Sequence, residues 1–184
     1  MNRILPIDST QATPKTQQLL AAVQSKLGVT PNMMRVMGHS PAALEAYLGF
    51  SATLGHGVLD GKLREQIALA VAETNLCGYC LSAHTAIGGK LGLSADQIEA
   101  ARRASATTPR TDAVLKLARS IVVSRGEVSD ADLKAARAAG LSDAELVETI
   151  ANVALNLFTN YVNHVARTAV DFPEVKPGLT TVSV

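Results

Sequence analysis

An all-α fold is what this sequence predicts, on three observations. Helix start signals, in which Ser, Thr or Asp precedes an apolar period of three to four, recur along the chain. Glycines close most of the segments so opened. No sustained period-two alternation flanked by turn residues calls for a sheet.

The elements follow in order. Thr13-Pro14 reads as N-cap and first helical residue, with Leu19, Leu20, Val23 and Leu27 as the apolar stripe and Gly28 as the stop. Ser40-Pro41 opens a second helix through Leu44, Tyr47 and Leu48, ending near Gly55 or Gly57. The third covers 60–74, and the fourth begins at Cys77-Gly78-Tyr79-Cys80 and stops at Gly92. Ser94 with Gln97 makes a capping box for a fifth helix reaching Arg103. A sixth covers 111–125 before Gly126, a seventh 129–139 before Gly140. Ser142 with Glu145 caps a long last helix over 142–170, which Asp171-Phe172-Pro173 ends. The expected organisation is one domain over 1–184, with N-terminal helices in 13–57, a motif region at 60–92 and the long helix last.

Composition narrows the function classes. A chain of 184 residues, 47% hydrophobic, is long enough to bury a genuine core. Its net charge of +1 comes from interspersed charges of both signs, so neither nucleic acid nor an anionic membrane has an electrostatic argument. Aromatic residues make up 3% and tryptophan is absent, which argues against a base-stacking surface. The longest clean apolar run, 67–72, falls far below the roughly 18 residues of a membrane span. Residues 1–8 lack the apolar stretch of a signal peptide, so the expected compartment is the cytoplasm.

The two cysteines, Cys77 and Cys80, sit three positions apart. A secreted disulfide scaffold would spread more of them along the chain, whereas a lone Cys-x-x-Cys in a reducing compartment is redox-active or metal-binding more often than structural. The pair falls at a helix start, where unpaired backbone N–H groups and the helix dipole favour an anion. His84 lies one turn after Cys80 on the same face, within reach of its proton. A thiol of ordinary pKa, about 8.5, is mostly inert at neutral pH, and such neighbours lower it. The other cysteine, one turn back, can close a small ring on an oxidised sulfur.

Two further carboxylates flank the helix that precedes this motif. Glu65 and Glu73 bound the stretch 66–72, which is apolar on nearly every face and therefore buried on every face. A partly desolvated carboxylate at such an edge suits proton transfer near neutral pH, and Glu65 is the better placed. Glu73 reads as a solvated end residue. Zinc competes for the cysteines, but only Cys77, Cys80 and His84 cluster, one short of the four ligands a structural site takes. A zinc- or small-molecule-binding helical oligomer without redox turnover, and a pair of inert buried cysteines, both stay open. His39, His56 and His164 read as structural, and Met33, Met34 and Met37 as core or interface filler. Asn152, Asn156, Asn160 and Asn163 fall on one stripe of the last helix; asparagine forms helix poorly, so the stripe is either a solvated face or a row of side chains with polar work.

The segment Arg64-Glu65-Gln66-Ile67-Ala68-Leu69-Ala70-Val71-Ala72, then Asn75-Leu76-Cys77-Gly78-Tyr79-Cys80-Leu81-Ser82-Ala83-His84, resembles the carboxymuconolactone decarboxylase superfamily, and within it the alkyl hydroperoxidase D branch and its peroxidase-related relatives. The resemblance is strongest over about residues 40–95. It implies an all-helical protein, usually a trimer or hexamer, that reduces hydroperoxides in antioxidant defence and draws electrons from a lipoyl- or thioredoxin-like dithiol. By the same resemblance Cys80 matches the peroxidatic cysteine, Cys77 the resolving one that exchanges with the reductant, and Glu65 and His84 the groups that take the proton of Cys80. No cofactor and no metal is implied. The helix-start argument alone favours Cys77 as nucleophile; His84 and the resemblance favour Cys80, which is the residue chosen here. The chain departs from the pattern at Tyr79, where the founding enzymes of the branch carry histidine, leaving the proton relay shorter and the reductant open. Decarboxylase members generally lack the cysteine pair, so lactone decarboxylation is set aside.

Overall fold

Seven of the helices begin where the sequence supplies a side-chain cap. In the computed structural model, which describes residues 2–179, Thr13, Ser40, Asp60, Ser94, Thr108, Ser129 and Ser142 each accept a backbone N–H three residues on. Each bond satisfies a donor that the first helical turn leaves without an intrahelical partner. The helices so started are α1 (Pro14–Leu27), α3 (Pro41–Leu54), α4 (Gly61–Thr74), α6 (Ala95–Arg102), α7 (Pro109–Val123), α8 (Asp130–Ala138) and α9 (Asp143–Ala166); α2 (Asn32–Met37) and α5 (Gly78–Lys90) complete the set. A short 3₁₀ turn at Ser9–Gln11 precedes them, and no strand occurs among the described residues. None of these helices is long and apolar enough to cross a membrane.

Three boundaries differ from expectation. α2 is unforeseen: it has six residues, and its N-cap is Pro31, which offers no side-chain oxygen. α7 begins two residues early because Thr108-Pro109 repeats the Thr-Pro start of α1. α9 stops at Ala166, short of 170, where Arg167 takes the left-handed region at φ 49° and the Thr168 N–H donates to the Asn163 carbonyl.

The core is built around α4, which packs against α5, α6, α7 and α9. It is buried continuously from Gln66 to Glu73, as its unbroken apolar run requires. Ile67, Leu69 and Val71 are fully enclosed together with Leu44, Leu81, Leu115 and Val153 from surrounding helices. Each of the larger side chains contributes about 1.5–3 kcal/mol by leaving water. Glu73 corrects the reading of a solvated end: it is completely buried. Its Oε2 accepts from Arg102 Nε at 2.8 Å and its Oε1 from the amides of Gly178 and Leu179 at 2.6 Å each. Burial opposes the ionised form, but these donors outweigh it and hold the carboxyl below its usual range.

Candidate active site

A tight turn between α4 and α5 places the cysteines. α4 ends at Asn75, Leu76 adopts the left-handed region at φ 56°, and the Cys77 N–H reaches back to the Ala72 carbonyl at 2.8 Å while that of Leu76 meets Glu73 at 3.0 Å. This pair of bonds is the Schellman pattern, in which glycine is the usual left-handed residue. The turn makes Cys77 the N-cap of α5 and Cys80 its third residue, inside the turn whose amides lack helical partners. Asn75 anchors the turn from outside: its Nδ2 donates to Asn160 Oδ1 at 3.0 Å, and its carbonyl lies 2.9 Å from His164 Nε2.

Both sulfurs are reduced and only 2% exposed. Their surroundings separate them. The Cys77 thiol donates to Cys80, which stabilises an anion on Cys80 and discourages one on Cys77. Burial resists charge on both, but Cys80 also has His84 nearby, Asn163 Nδ2 at 3.3 Å and Thr159 Oγ1 at 3.9 Å. The balance pulls Cys80 down to about 6 from an ordinary thiol value and pushes Cys77 up. The N-cap rule that favours the first cysteine therefore loses here to Cys77 and Asn163, the donors directed at the second.

Glu65 and His84, which the resemblance matches to the acceptors of the Cys80 proton, lie against each other. His84 Nδ1 lies 2.7 Å from Glu65 Oε2, and both side chains are largely shielded from solvent. Burial works to keep the imidazole neutral; the Glu65 carboxylate and the nearby Cys80 overcome it, so His84 is shifted upward. The pair forms the floor of a pocket of about 450 Å³ between α1, α3, α4, α5 and α9. Its walls are apolar, with Val23, Leu27, Met34, Tyr47, Leu48 and Ile87, and Asn156 and Thr159 join the floor. Thr159 stands between this space and the Cys80 sulfur. Burial and the neighbouring Cys80 and Glu65 raise the Tyr47 phenol above its ordinary value, so it stays protonated. A second, more open pocket near Ser9, Gln17 and Gln24 holds no titratable group.

The structure thus brings Cys77, Cys80, His84 and Glu65 into one locality. Among the described residues, no three His, Cys, Asp or Glu side chains converge as metal ligands. His39 bonds to the Leu5 carbonyl, and His164 to Asn75, in keeping with structural roles. The asparagine stripe does polar work: all four side chains are buried. Its contact with Cys80 through Asn163 was not foreseen, nor were Thr159, Tyr47 and Met33, whose sulfur shares the Asn163 amide at 3.2 Å. The helical period of the asparagines was the available signal; the direction of that face needs the tertiary packing. Tyr79 turns its hydroxyl away from the Glu65–His84 pair, accepting from the Met33 N–H at 3.1 Å and donating to Asp171.

The site thus consists of a paired thiol beside a buried carboxylate–imidazole couple in an all-helical bundle. The model of the Carboxymuconolactone decarboxylase family matches residues 41–121. Over that segment the chain is similar to the carboxymuconolactone decarboxylase family, and over most of its length its fold is similar to alkylhydroperoxidase D-like structures. It is similar to the alkylhydroperoxidase AhpD core of an uncharacterized peroxidase-related protein from Ralstonia eutropha, at 26% identity and TM-score 0.79 over 93% of this chain and 94% of that one. A peroxidase-related protein from a Silicibacter species aligns at 25% identity and TM-score 0.78, covering 91% and 92%. A debrominase crystallised with 2,3,4-tribromopyrrole shares the fold, at 18% identity and TM-score 0.79 over 93% and 92%. An uncharacterized protein from Haemophilus influenzae is 53% identical over 45 residues, 24% of this chain and 40% of that relative's length.

Proposed function

We propose that this protein reduces organic hydroperoxides with a Cys77/Cys80 dithiol that becomes a disulfide, in antioxidant defence within a reducing compartment such as the cytoplasm. The observation that carries the reading is the setting of Cys80: the Asn163 amide donates to its sulfur at 3.3 Å, the Cys77 thiol faces it, and it is pulled down to about 6 beside the Glu65–His84 pair that lines an apolar pocket.

The chemistry balances on this chain's own groups. Glu65 and His84 take the Cys80 proton. The thiolate attacks the terminal oxygen of the hydroperoxide, the O–O bond breaks, and the departing alkoxide recovers a proton from the same pair as an alcohol. Cys80 is left as a sulfenic acid. The Cys77 sulfur then attacks it, the S–S bond forms, and the hydroxyl leaves with the Cys77 proton as water. Two electrons have passed from the sulfurs to the peroxide. A protein dithiol, lipoyl- or thioredoxin-like, returns them. The whole chain acts as one domain in this account, in a homo-oligomer of the trimeric or hexameric kind.

The test is a count of free thiols before and after one equivalent of cumene hydroperoxide, with the product located by mass spectrometry. Two thiols per chain are expected to disappear into a Cys77–Cys80 bond. Retention of both would refute the proposal. Thiols left unchanged by cumene hydroperoxide but lost while 2,3,4-tribromopyrrole is consumed would move the protein to the chemistry of its debrominating neighbour.

A further inference from the structure

The reading above requires Cys77 to exchange with a second protein, yet Cys77 is 2% exposed. Next to it, over Gly78, Tyr79 and Ser82, runs the chain's own extended segment 171–179, which follows α9 and lies along the first turn of α5. Phe172 meets the Tyr79 ring edge-on at a centroid distance of 5.8 Å. The Val175 N–H donates to Ser82 Oγ at 2.9 Å, and Ser82 in turn donates to the Gly78 carbonyl at 2.8 Å. A side chain at Gly78, between the cysteines, would touch Pro177 at 3.7 Å and the Val175 carbonyl at 3.8 Å. The far end is tied down by Glu73, which accepts from the amides of Gly178 and Leu179, and by Arg102, whose Nη2 donates to the Lys176 carbonyl at 2.8 Å.

The two sides of α5 are therefore served differently. The pocket approaches His84 and Thr159 from α1, α3 and α9. The segment 171–179 covers the opposite approach, over residues 78, 79 and 82. A small hydroperoxide can use the first; a folded dithiol protein needs the second. Buried anchors joined to backbone amides hold the segment in place, while its residues 173, 174, 176, 178 and 179 face solvent, the arrangement of an element that can leave without opening the core.

We propose that residues 171–179 are a strap over the docking surface of the dithiol reductant, and that release of the strap admits this partner to Cys77. The inference rests on the two-cysteine reading. Once admitted, one donor thiolate attacks the Cys77 sulfur of the disulfide, the S–S bond breaks and Cys80 leaves as thiolate. The donor's second sulfur then attacks the mixed disulfide, freeing Cys77. The donor ends as a disulfide, having supplied two electrons and two protons.

The test uses the full chain oxidised chemically with diamide, so that it stands whether or not a hydroperoxide is the physiological oxidant. Re-reduction is followed against increasing concentrations of dithiothreitol and of reduced thioredoxin. Strap opening as a common slow step predicts a rate that reaches the same ceiling with both reagents. Gly178→Pro removes an amide bonded to Glu73 and forbids the φ of +123° found there; Ser82→Ala removes the partner of Val175. Each should raise the ceiling, about tenfold for Gly178→Pro because a hydrogen bond to a charged group is lost from the closed state only. Disulfide formation by cumene hydroperoxide should be unchanged in both variants. Rates that climb linearly with either reductant and are equal in wild type and both variants would overturn the strap. Failure of the hydroperoxide to oxidise any of them would instead overturn the peroxidase reading.

Discussion

Replacing Asn163 by leucine isolates the side chain that most directly holds the Cys80 anion. The substitution keeps the branched shape of the side chain at a buried site while removing an amide donor 3.3 Å from the sulfur. A hydrogen bond to a charged group is worth about 1.5–3 kcal/mol, and each pKa unit corresponds to about 1.4 kcal/mol, so the Cys80 value should rise by about one to two units. Starting from about 6, the thiolate fraction at pH 7 falls from roughly nine-tenths to between about a half and a tenth, a rate loss of about two- to tenfold. Part of the loss should be recovered at pH 9, where the variant's thiol is again ionised. The assay is thiolate absorbance near the far ultraviolet against pH, paired with single-turnover reduction of cumene hydroperoxide. Met33 loses the same amide, so thermal unfolding is measured alongside to separate packing from titration. A variant that titrates as wild type but reacts slowly, or one whose slowing is the same at pH 7 and 9, would refute the reasoning.

Further expectations follow from the same geometry. Glu65→Gln should slow hydroperoxide reduction by roughly 10²-fold if the carboxylate works with His84 as proton acceptor, and a rate within about twofold of wild type would remove it from the mechanism. Relative to Cys80→Ser, the reduced protein should gain stability as pH rises: the folded Cys80 value lies below the unfolded one, so this thiol binds more protons in the unfolded chain between about 6 and 8.5, and the gain is lost again as pH falls through the folded value. His84, shifted upward, opposes the trend in both proteins, so the sign is read from the difference between their denaturant titrations at several pH values, and a difference that does not change with pH contradicts it. Leu69→Ala, at a fully enclosed point of α4, should cost about 2–5 kcal/mol in equilibrium unfolding without altering the pH dependence of Cys80, which separates core from site.

Much of the fold was legible because its signals are local. Thr13-Pro14, Ser40-Pro41, Asp60, Ser94 and Ser142 each bond within a turn of themselves, so the residues alone define the start. The burial of α4 was legible for a related reason, since a helix apolar all round has no face to offer water. α2 escaped because six residues hardly repeat a helical period and Pro31 gives no cap bond. Glu73 escaped because its partners, Arg102 and the amides of Gly178 and Leu179, are 29 and more residues away. In the site, Glu65 and His84 were singled out by the resemblance, and His84 near Cys80 by helical spacing; the contact of Glu65 with His84 is set by the packing of α4 on α5. Asn163 and Thr159 were not, since α9 reaches Cys80 across about eighty residues of chain, and only packing decides which turn of the asparagine stripe meets the sulfur.

Cys77→Ser, treated with cumene hydroperoxide in the presence of dimedone and mapped by mass spectrometry, bears most directly on Cys80 as the attacking sulfur. With no resolving thiol the sulfenic acid should persist, and the dimedone adduct should appear on Cys80 at neutral pH. No adduct on Cys80, together with a ready adduct on Cys77 in the complementary Cys80→Ser protein, would contradict the account.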